Sequence, residues 1–291
     1  MDEYRFLTAA NVKNALELLD ALGAEGRIVN GGTDTMVRIH LGRCPICTFV
    51  NIRDLDELKY IRQEGEEIVI GAGTTIHTLS QSQLLLEKAP ALFLAANVFA
   101  DPTTRHSATI GGNIGNASPS ADTAPSLLVF DATIVIESLK GKRTVPATAF
   151  FTGVGRTVVQ PGEMVTEIRF HANPNSAFYK LGLRGAMAIS LVNIAVAVDL
   201  DKKGIMKDVR IALGAVAPTP VRAAHAEAIL RGSRPEKELI KQAMEALQED
   251  IHPITDVRAS AEYRRLVSSN LMRRVLRKAC GICENEEEDR R

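Results

Sequence analysis

Two glycine-rich stretches carry the residues best suited to chemistry in this 291-residue chain. One is Gly31-Gly32-Thr33-Asp34. The other is Thr109-Ile110-Gly111-Gly112-Asn113, which runs on through Asn116, Ser118, Ser120 and Asp122. Glycine has no Cβ, so its backbone can lie directly against a ligand, and unpaired amides there can donate to a diphosphate. Asn and Ser suit the hydroxyls of a ribityl or ribose chain, and Asp122 can accept from a sugar hydroxyl. Either stretch alone reads as an ordinary turn-rich loop, and the second also as a flexible connector. Together, from different parts of the chain, they point to one site for a long dinucleotide.

A second kind of chemistry is offered by two cysteine pairs of like spacing, Cys44-Pro-Ile-Cys47 and Cys280-Gly-Ile-Cys283. In a cytosolic chain such pairs are metal ligands or free thiols more often than structural disulfides. Brought together by folding, they could hold a zinc ion or an iron–sulfur cluster. The alternative is that they are unrelated small residues. His40, His77, His106, His171, His225 and His252 are scattered, without zinc-site spacing or a nucleophile motif, and read as surface or capping residues. No GxSxG elbow, GxxxxGK[ST] phosphate loop or complete GxGxxG fingerprint occurs. Gly71-Ala72-Gly73 follows a strand but lacks the third glycine, so it reads as a tight turn.

Bulk properties narrow the choice of partner. Lys plus Arg and Asp plus Glu number 35 each, so no net field draws the chain to nucleic acid or an anionic membrane. Aromatics are 4% of residues and Trp is absent, which removes stacking platforms for single strands. The first residues are acidic and polar, unlike a signal peptide, and no window is long enough for a membrane span. A cytoplasmic protein is expected.

The elements that must position these residues follow from pattern. A helix over 12–22 is capped by Thr8 and stopped at Gly23. A strand over 27–30 runs into the first glycine turn, and a helix starts near 36, a shape able to present amides to an anion. A strand covers 48–52. A second unit begins near 58 with a strand at 67–71, a helix at 75–86 and an apolar helix at 90–100 stopped by Asp101-Pro102. Asp122 caps a short helix through 128, and strands follow at 132–137, 143–146 and 164–170. The polar break His171-Ala-Asn-Pro-Asn175 ends this unit. Strands at 177–183, 190–199 and 209–216 then precede helical runs at 221–230, 236–247 and 259–279. Strands followed by helices make an α+β domain. The resulting division is 1–57, 58–172, 173–283 and a charged tail at 284–291.

Five segments, NGGTDTM, DPTTRHSATIGGNIGNASPSADTAPSLLVFDA, KLGLRGAMAISLVNIAVAV, GAVAPTPVRAAHAEAIL and RASAEYRRLVSSNLMRRVL, carry a resemblance in this order. They resemble the FAD-binding subunit of the molybdenum hydroxylases, most of all the medium subunit of bacterial xanthine dehydrogenases. The likeness covers nearly the whole chain. It implies a two-subdomain FAD-binding module of the vanillyl-alcohol oxidase and CO dehydrogenase flavoprotein type, not a Rossmann fold, followed by a C-terminal α+β domain. Carried over by motif, Arg27, Ile28, Val29, Asn30, Gly31, Gly32, Thr33, Asp34 and Thr35 form the first diphosphate loop. Ala108, Thr109, Ile110, Gly111, Gly112 and Asn113 form the second. Asn116, Ser118 and Asp122 lie along the ribityl or diphosphate region, Phe99 beside the flavin or its adenine, and Met164 and Lys180 where the family closes over the cofactor.

The resemblance further implies a chain that takes electrons from partner [2Fe–2S] clusters onto FAD and passes them to NAD+. The molybdopterin-binding large subunit and the [2Fe–2S] small subunit are then separate chains, and hydroxylation occurs on the former. The resemblance accordingly implies no general base on this chain. Two departures stand out. Relatives such as 4-hydroxybenzoyl-CoA reductase carry an inserted four-cysteine loop that this chain lacks between Thr103 and Thr133, and His106 stands where the family often has Asn. Competing readings are a stand-alone flavin oxidase, for which the region after 173 is short and poor in aromatics, a non-catalytic assembly subunit, and a metal-binding module resting on the four cysteines.

Overall fold

The structure, a computed structural model, describes residues 3–185 and 187–282. The chain begins with a three-stranded parallel sheet of β1 (Arg5–Thr8), β2 (Gly26–Val29) and β3 (Thr48–Asn51), in the order β1-β3-β2. Parallel neighbours require crossovers. The first is α1 (Val12–Leu22), whose helically spaced Ala15, Leu16 and Leu19 are buried. Its cap is Asn11, which accepts from the Asn14 amide; Thr8, the cap expected from sequence, instead ends β1. The second crossover is a glycine turn and the short α2 (Thr35–His40). The turn at 31–34 therefore sits beyond the C-terminal end of β2, where parallel sheets place their ligands.

The next strands are β4 (Ile61–Glu64) and β5 (Glu67–Gly71), followed by α3 (Ile76–Gln81), α4 (Gln83–Lys88) and α5 (Pro90–Asn97). The single helix expected over 75–86 is two helices. Ser82 adopts extended backbone, ends α3, and caps α4 by accepting from the Leu85 amide, a competition with helix typical of serine. The chain continues through α6 (Pro102–Ser107), α7 (Ile110–Gly115) and α8 (Ala124–Val129). The glycine-rich run is thus partly helical: Thr109 caps α7, accepting from the Gly112 amide. Asp122 does not cap α8, because Thr123 occupies the cap position without a side-chain bond. Strands β6 (Thr133–Ser138) and β7 (Gly141–Pro146), α9 (Ala147–Phe150), the small hairpin β8 (Phe151–Gly153) and β9 (Arg156–Thr157), and β10 (Met164–His171) complete this part. The antiparallel sheet runs β4-β5-β10-β6-β7.

A four-stranded antiparallel sheet follows, β11 (Ser176–Gly182), β12 (Ser190–Leu200), β13 (Met206–Gly214) and β14 (Val221–Arg222). The helices are α10 (Ala224–Leu230), α11 (Lys237–Asp250) and α12 (Ala261–Ala279), the last capped by Ser260. The run expected to be helical from 221 opens as a strand. β12 shows how this sheet is held. Its faces alternate with period two, and Ile194, Val196 and Val198 enter the core shared with Ile211, Met272 and Leu276. Ala195 and Ala197, with Ala212, instead join the core containing Leu127 and Leu128 of α8. Methyl-sized side chains let the sheet approach α8 closely, and that approach carries β11 to the glycine-rich run. The buried Arg264 braces the other side. It donates to the carbonyls of Leu191 at 2.7 Å and Ala215 at 3.0 Å and to Asp256 at 2.9 Å.

Candidate functional site

The two glycine stretches meet, and their glycines serve different purposes. A Cβ on Gly31 would lie 1.9 Å from the Ser107 carbonyl oxygen, so the first loop is pressed against the link between α6 and α7. A Cβ on Gly111 would lie 2.7 Å from both Cβ and carbonyl oxygen of Ala72. These two glycines permit backbone-to-backbone packing within the protein. Gly112 would meet only the Thr109 hydroxyl, at 3.0 Å, and Gly115 nothing within 4 Å. Both are exposed and face a cavity of about 960 Å³. The run is therefore bare for two reasons, close packing behind it and open space in front.

The amides divide in the same way. At the start of α7 they are spent inside the protein: Ile110 donates to the Thr74 carbonyl at 3.0 Å, Gly111 to Ala72 at 2.9 Å and Gly112 to the Thr109 hydroxyl at 3.1 Å. Among the described residues no protein atom accepts from the amides of Gly31, Gly32 or Thr33. Unsatisfied donors are costly unless a solvent or ligand oxygen meets them. The anion-binding capacity expected of both loops thus resides in the first, with the second supplying a smooth floor. Asn113 contributes a fixed donor. Its Oδ1 accepts from the Thr123 amide and hydroxyl at 3.3 and 2.6 Å, leaving its amide nitrogen for the cavity it lines.

Lys180 arrives from β11 and pairs with Asp122 at 2.6 Å, with side chains only 8% and 7% exposed. The other Asp122 oxygen accepts from Ser190 at 2.7 Å and Asn193 at 3.0 Å. Asp122 lines the cavity, as expected, but its carboxylate anchors Lys180 and the C-terminal sheet. Arg105 donates to the carbonyls of Asn97 and Phe99, at 3.1 and 2.9 Å, and so sets the turn that brings Phe99 to the cavity. His106 does not line it. Its ring stacks on that of His77 with centroids 3.8 Å apart, so the departure at this position is absorbed at the surface.

Of the residues expected at a cofactor, all of 27–35 line the cavity, as do Phe99, Ala108, Thr109, Gly111, Gly112, Asn113, Asn116, Ser118, Asp122 and Lys180. Two do not. Ile110 is fully buried in the core beneath α7, and Met164 is fully buried against the α1 side of the first unit, while its neighbours Glu163 and Val165 line the cavity. Arg38, Arg43, Gln160 and Ser190 line it as well and were not expected. Arg38 and Arg43 had a signal, since cations flank an anion turn. Gln160 and Ser190 had none, being brought in by sheets distant in sequence. Glu163 is tied by Arg143 at 2.8 and 2.7 Å, and that bond is the main cause holding its carboxyl below the usual range, against burial.

The cysteines do not gather into one centre. Cys44 and Cys47 pack with Val29 and Phe49, whereas Cys280 packs against the core of the C-terminal sheet and Cys283 lies outside the described residues. Burial pushes the Cys280 thiol up to about 11. Among the described residues no three His, Cys, Asp or Glu side chains converge as a metal requires. Among them, too, no helix is long and apolar enough to cross a membrane.

A glycine-floored cavity beyond the end of a parallel sheet, with unpaired amides on one loop and a lysine opposite, defines a protein that holds a long phosphate-bearing cofactor. Comparison with known proteins specifies it. Residues 2–171 match the family described as FAD binding domain in molybdopterin dehydrogenase, and residues 177–279 match the CO dehydrogenase flavoprotein C-terminal domain. The chain is 33% identical to the xanthine dehydrogenase FAD-binding subunit of Escherichia coli O157:H7, over 93% of this chain and 94% of that one. It is 31% identical to the carbon monoxide dehydrogenase medium chain of Hydrogenophaga pseudoflava, over 96% and 98%. A solved structure of carbon monoxide dehydrogenase from that organism superposes with a TM-score of 0.92 at 32% identity, covering 97% and 99% of the two chains. Quinoline 2-oxidoreductase from Pseudomonas putida 86 gives 0.88 at 25% identity, covering 97% of each chain. The chain belongs to the FAD-binding subunits of the molybdenum hydroxylases: it is an FAD-dependent oxidoreductase subunit with their α+β fold.

Proposed function

We propose that this chain receives electrons from the [2Fe–2S] clusters of a small partner subunit and delivers them, through FAD, to NAD+. Its complex is then a cytoplasmic, xanthine dehydrogenase-like molybdenum hydroxylase whose large subunit binds molybdopterin and performs the hydroxylation. The observation that carries this reading is the joining of the two glycine stretches on one cavity large enough for a dinucleotide. Relatives described as FAD-binding subunits and medium chains, matched over nearly their whole length, support a role within an assembly. FAD, when bound, supplies the two-electron redox chemistry.

The protein's own residues do the holding. The amides of Gly31, Gly32 and Thr33 donate to the diphosphate, Gly112 and Gly115 leave room for it, and Asn113 offers its amide nitrogen. Asn116 and Ser118 serve the ribityl hydroxyls. Lys180, held in place by Asp122, brings its ammonium group to the cavity from the C-terminal sheet. Phe99 closes the apolar side.

The test is a visible absorption spectrum of the purified chain under nitrogen, before and after NADH. A flavin spectrum bleached by NADH is the expected result. A flavin spectrum indifferent to NADH would remove NAD+ as acceptor. A colourless chain that takes up no added FAD would overturn the cavity assignment.

A further inference from the structure

The first glycine loop contains the only Asn-Gly step of the chain, Asn30-Gly31. Such a step is open to internal attack, because glycine sets no side chain beside the amide nitrogen that must reach the asparagine carboxamide. Folded backbone ordinarily prevents the attack by holding both groups in hydrogen bonds. Here neither is held. Asn30 stands in a bend one residue past β2, half-buried on the cavity wall, and among the described residues its side chain has no hydrogen-bond partner. The Gly31 amide likewise meets no acceptor among them. Other asparagines are fixed: Asn51 accepts from the Arg53 amide at 3.1 Å, Asn97 donates to the Phe93 carbonyl at 2.9 Å, and Asn113 is tied to Thr123 at 2.6 Å. Asn175 is exposed, but Ser176 follows it, and a side chain there crowds the attacking nitrogen.

We propose that Asn30 is a site of spontaneous deamidation that closes the cavity to FAD, and that bound FAD protects it. The Gly31 nitrogen gives up its proton and attacks Cγ of Asn30, forming the C–N bond of a succinimide, and the side-chain nitrogen leaves as ammonia. Water from the cavity then opens either carbonyl of the ring, giving aspartate or isoaspartate at this position. The sum is carboxamide plus water to carboxylate plus ammonium, with no change of oxidation state. Both products spoil the loop. Each sets a negative charge beside the amides that serve the diphosphate, where like charges repel. Isoaspartate also lengthens the main chain by one carbon immediately before Gly31. A Cβ on that glycine would already lie 1.9 Å from the Ser107 carbonyl oxygen, so the packing has no room for the added length. The protective half of the proposal rests on the FAD reading of this cavity: a diphosphate held by the Gly31 amide keeps that nitrogen from turning toward Asn30.

The full chain, either loaded with FAD or stripped of flavin and kept as the folded fraction from gel filtration, is incubated at mildly alkaline pH. Tryptic peptide 28–38, in which Asn30 is the only asparagine, reports the site by mass, and isoaspartyl methyltransferase reports the isomerised product. In the stripped chain this peptide should convert before any other that contains asparagine. In the loaded chain conversion should be about ten-fold slower or more, the factor set by breaking one hydrogen bond to a charged group before the attack. Asn30→Gln should stay unconverted, because its longer side chain closes a larger and slower ring. Asn30→Asp should bind FAD about ten-fold more weakly or worse. An intact stripped chain, faster conversion at another asparagine, equal rates in the two forms, or full FAD affinity in Asn30→Asp would each overturn the proposal. Visible absorbance of the loaded sample is read separately. A chain that takes up no FAD overturns the cofactor reading and the protection with it, whereas conversion at Asn30 stands or falls on peptide mass alone.

Discussion

Replacing Lys180 by methionine removes an ammonium but keeps the stem that reaches the cavity wall. Its partner Asp122 lies 2.6 Å away, and both side chains are more than nine-tenths buried. At an effective dielectric of about 20, a contact this short is worth about 6 kcal/mol of gross attraction, most of it offset by desolvation in the intact protein. Breaking one side of such a pair costs about 3–5 kcal/mol, because the other charge stays buried. Here Asp122 keeps two donors, Ser190 at 2.7 Å and Asn193 at 3.0 Å, which puts Lys180→Met at the low end, about 3 kcal/mol. Asp122→Asn should cost a similar amount by stranding the ammonium. The double variant buries no charge and should be about as unstable as either single, a coupling of about 3 kcal/mol. With no Trp in the chain, the assay is urea unfolding followed by far-UV circular dichroism. Strictly additive single costs, or singles below about 1 kcal/mol, would refute the view that this pair joins β11 to the cofactor loops.

Three further outcomes follow from the geometry. Gly31→Ala should cost about 3 kcal/mol of stability, because its methyl meets the Ser107 carbonyl at 1.9 Å, whereas Gly112→Val should cost about 1 kcal/mol yet abolish FAD retention; unfolding curves and flavin absorbance separate the two effects, and a Gly112→Val chain with full flavin content would remove α7 from the site. Burial pushes the Asp256 carboxyl up, but the Arg258 and Ala259 amides and the Arg264 guanidinium outweigh it and hold the group at about 2. The stability this confers is complete above its unfolded value near pH 4 and is lost as pH falls through about 2. The gap between wild type and Asp256→Asn, about 2 kcal/mol at neutral pH, should therefore close below about pH 4, and a gap that stays constant to pH 2 would contradict the assignment. Asn11→Ala should cost about 1 kcal/mol as the cap of α1, and Thr8→Ala less than about 0.5 kcal/mol; urea midpoints ranked the other way would return the cap to Thr8.

How much of this was legible beforehand depended on how local the cause was. The sequence by itself determined most elements, because helical spacing at Ala15, Leu16 and Leu19 and alternation along 194–198 are properties of a few neighbouring residues. It also marked both glycine stretches and, through the resemblance, nearly all the cavity residues between 27 and 35 and between 108 and 122. Boundaries that hinge on competition were missed: Ser82 breaks a helix by offering its own side chain to a later amide, and Asn11 outcompetes Thr8 for a cap. Only the tertiary structure decided which glycine serves packing and which serves the ligand, since Gly31 and Gly111 are constrained by Ser107 and Ala72, residues of other segments. It alone turned Asp122 toward Lys180 and withdrew Ile110 and Met164 into cores. It also placed one cysteine pair on the cavity and left Cys280 on another core. Those choices rest on contacts between distant segments, and spacing along the chain does not encode which segment will arrive.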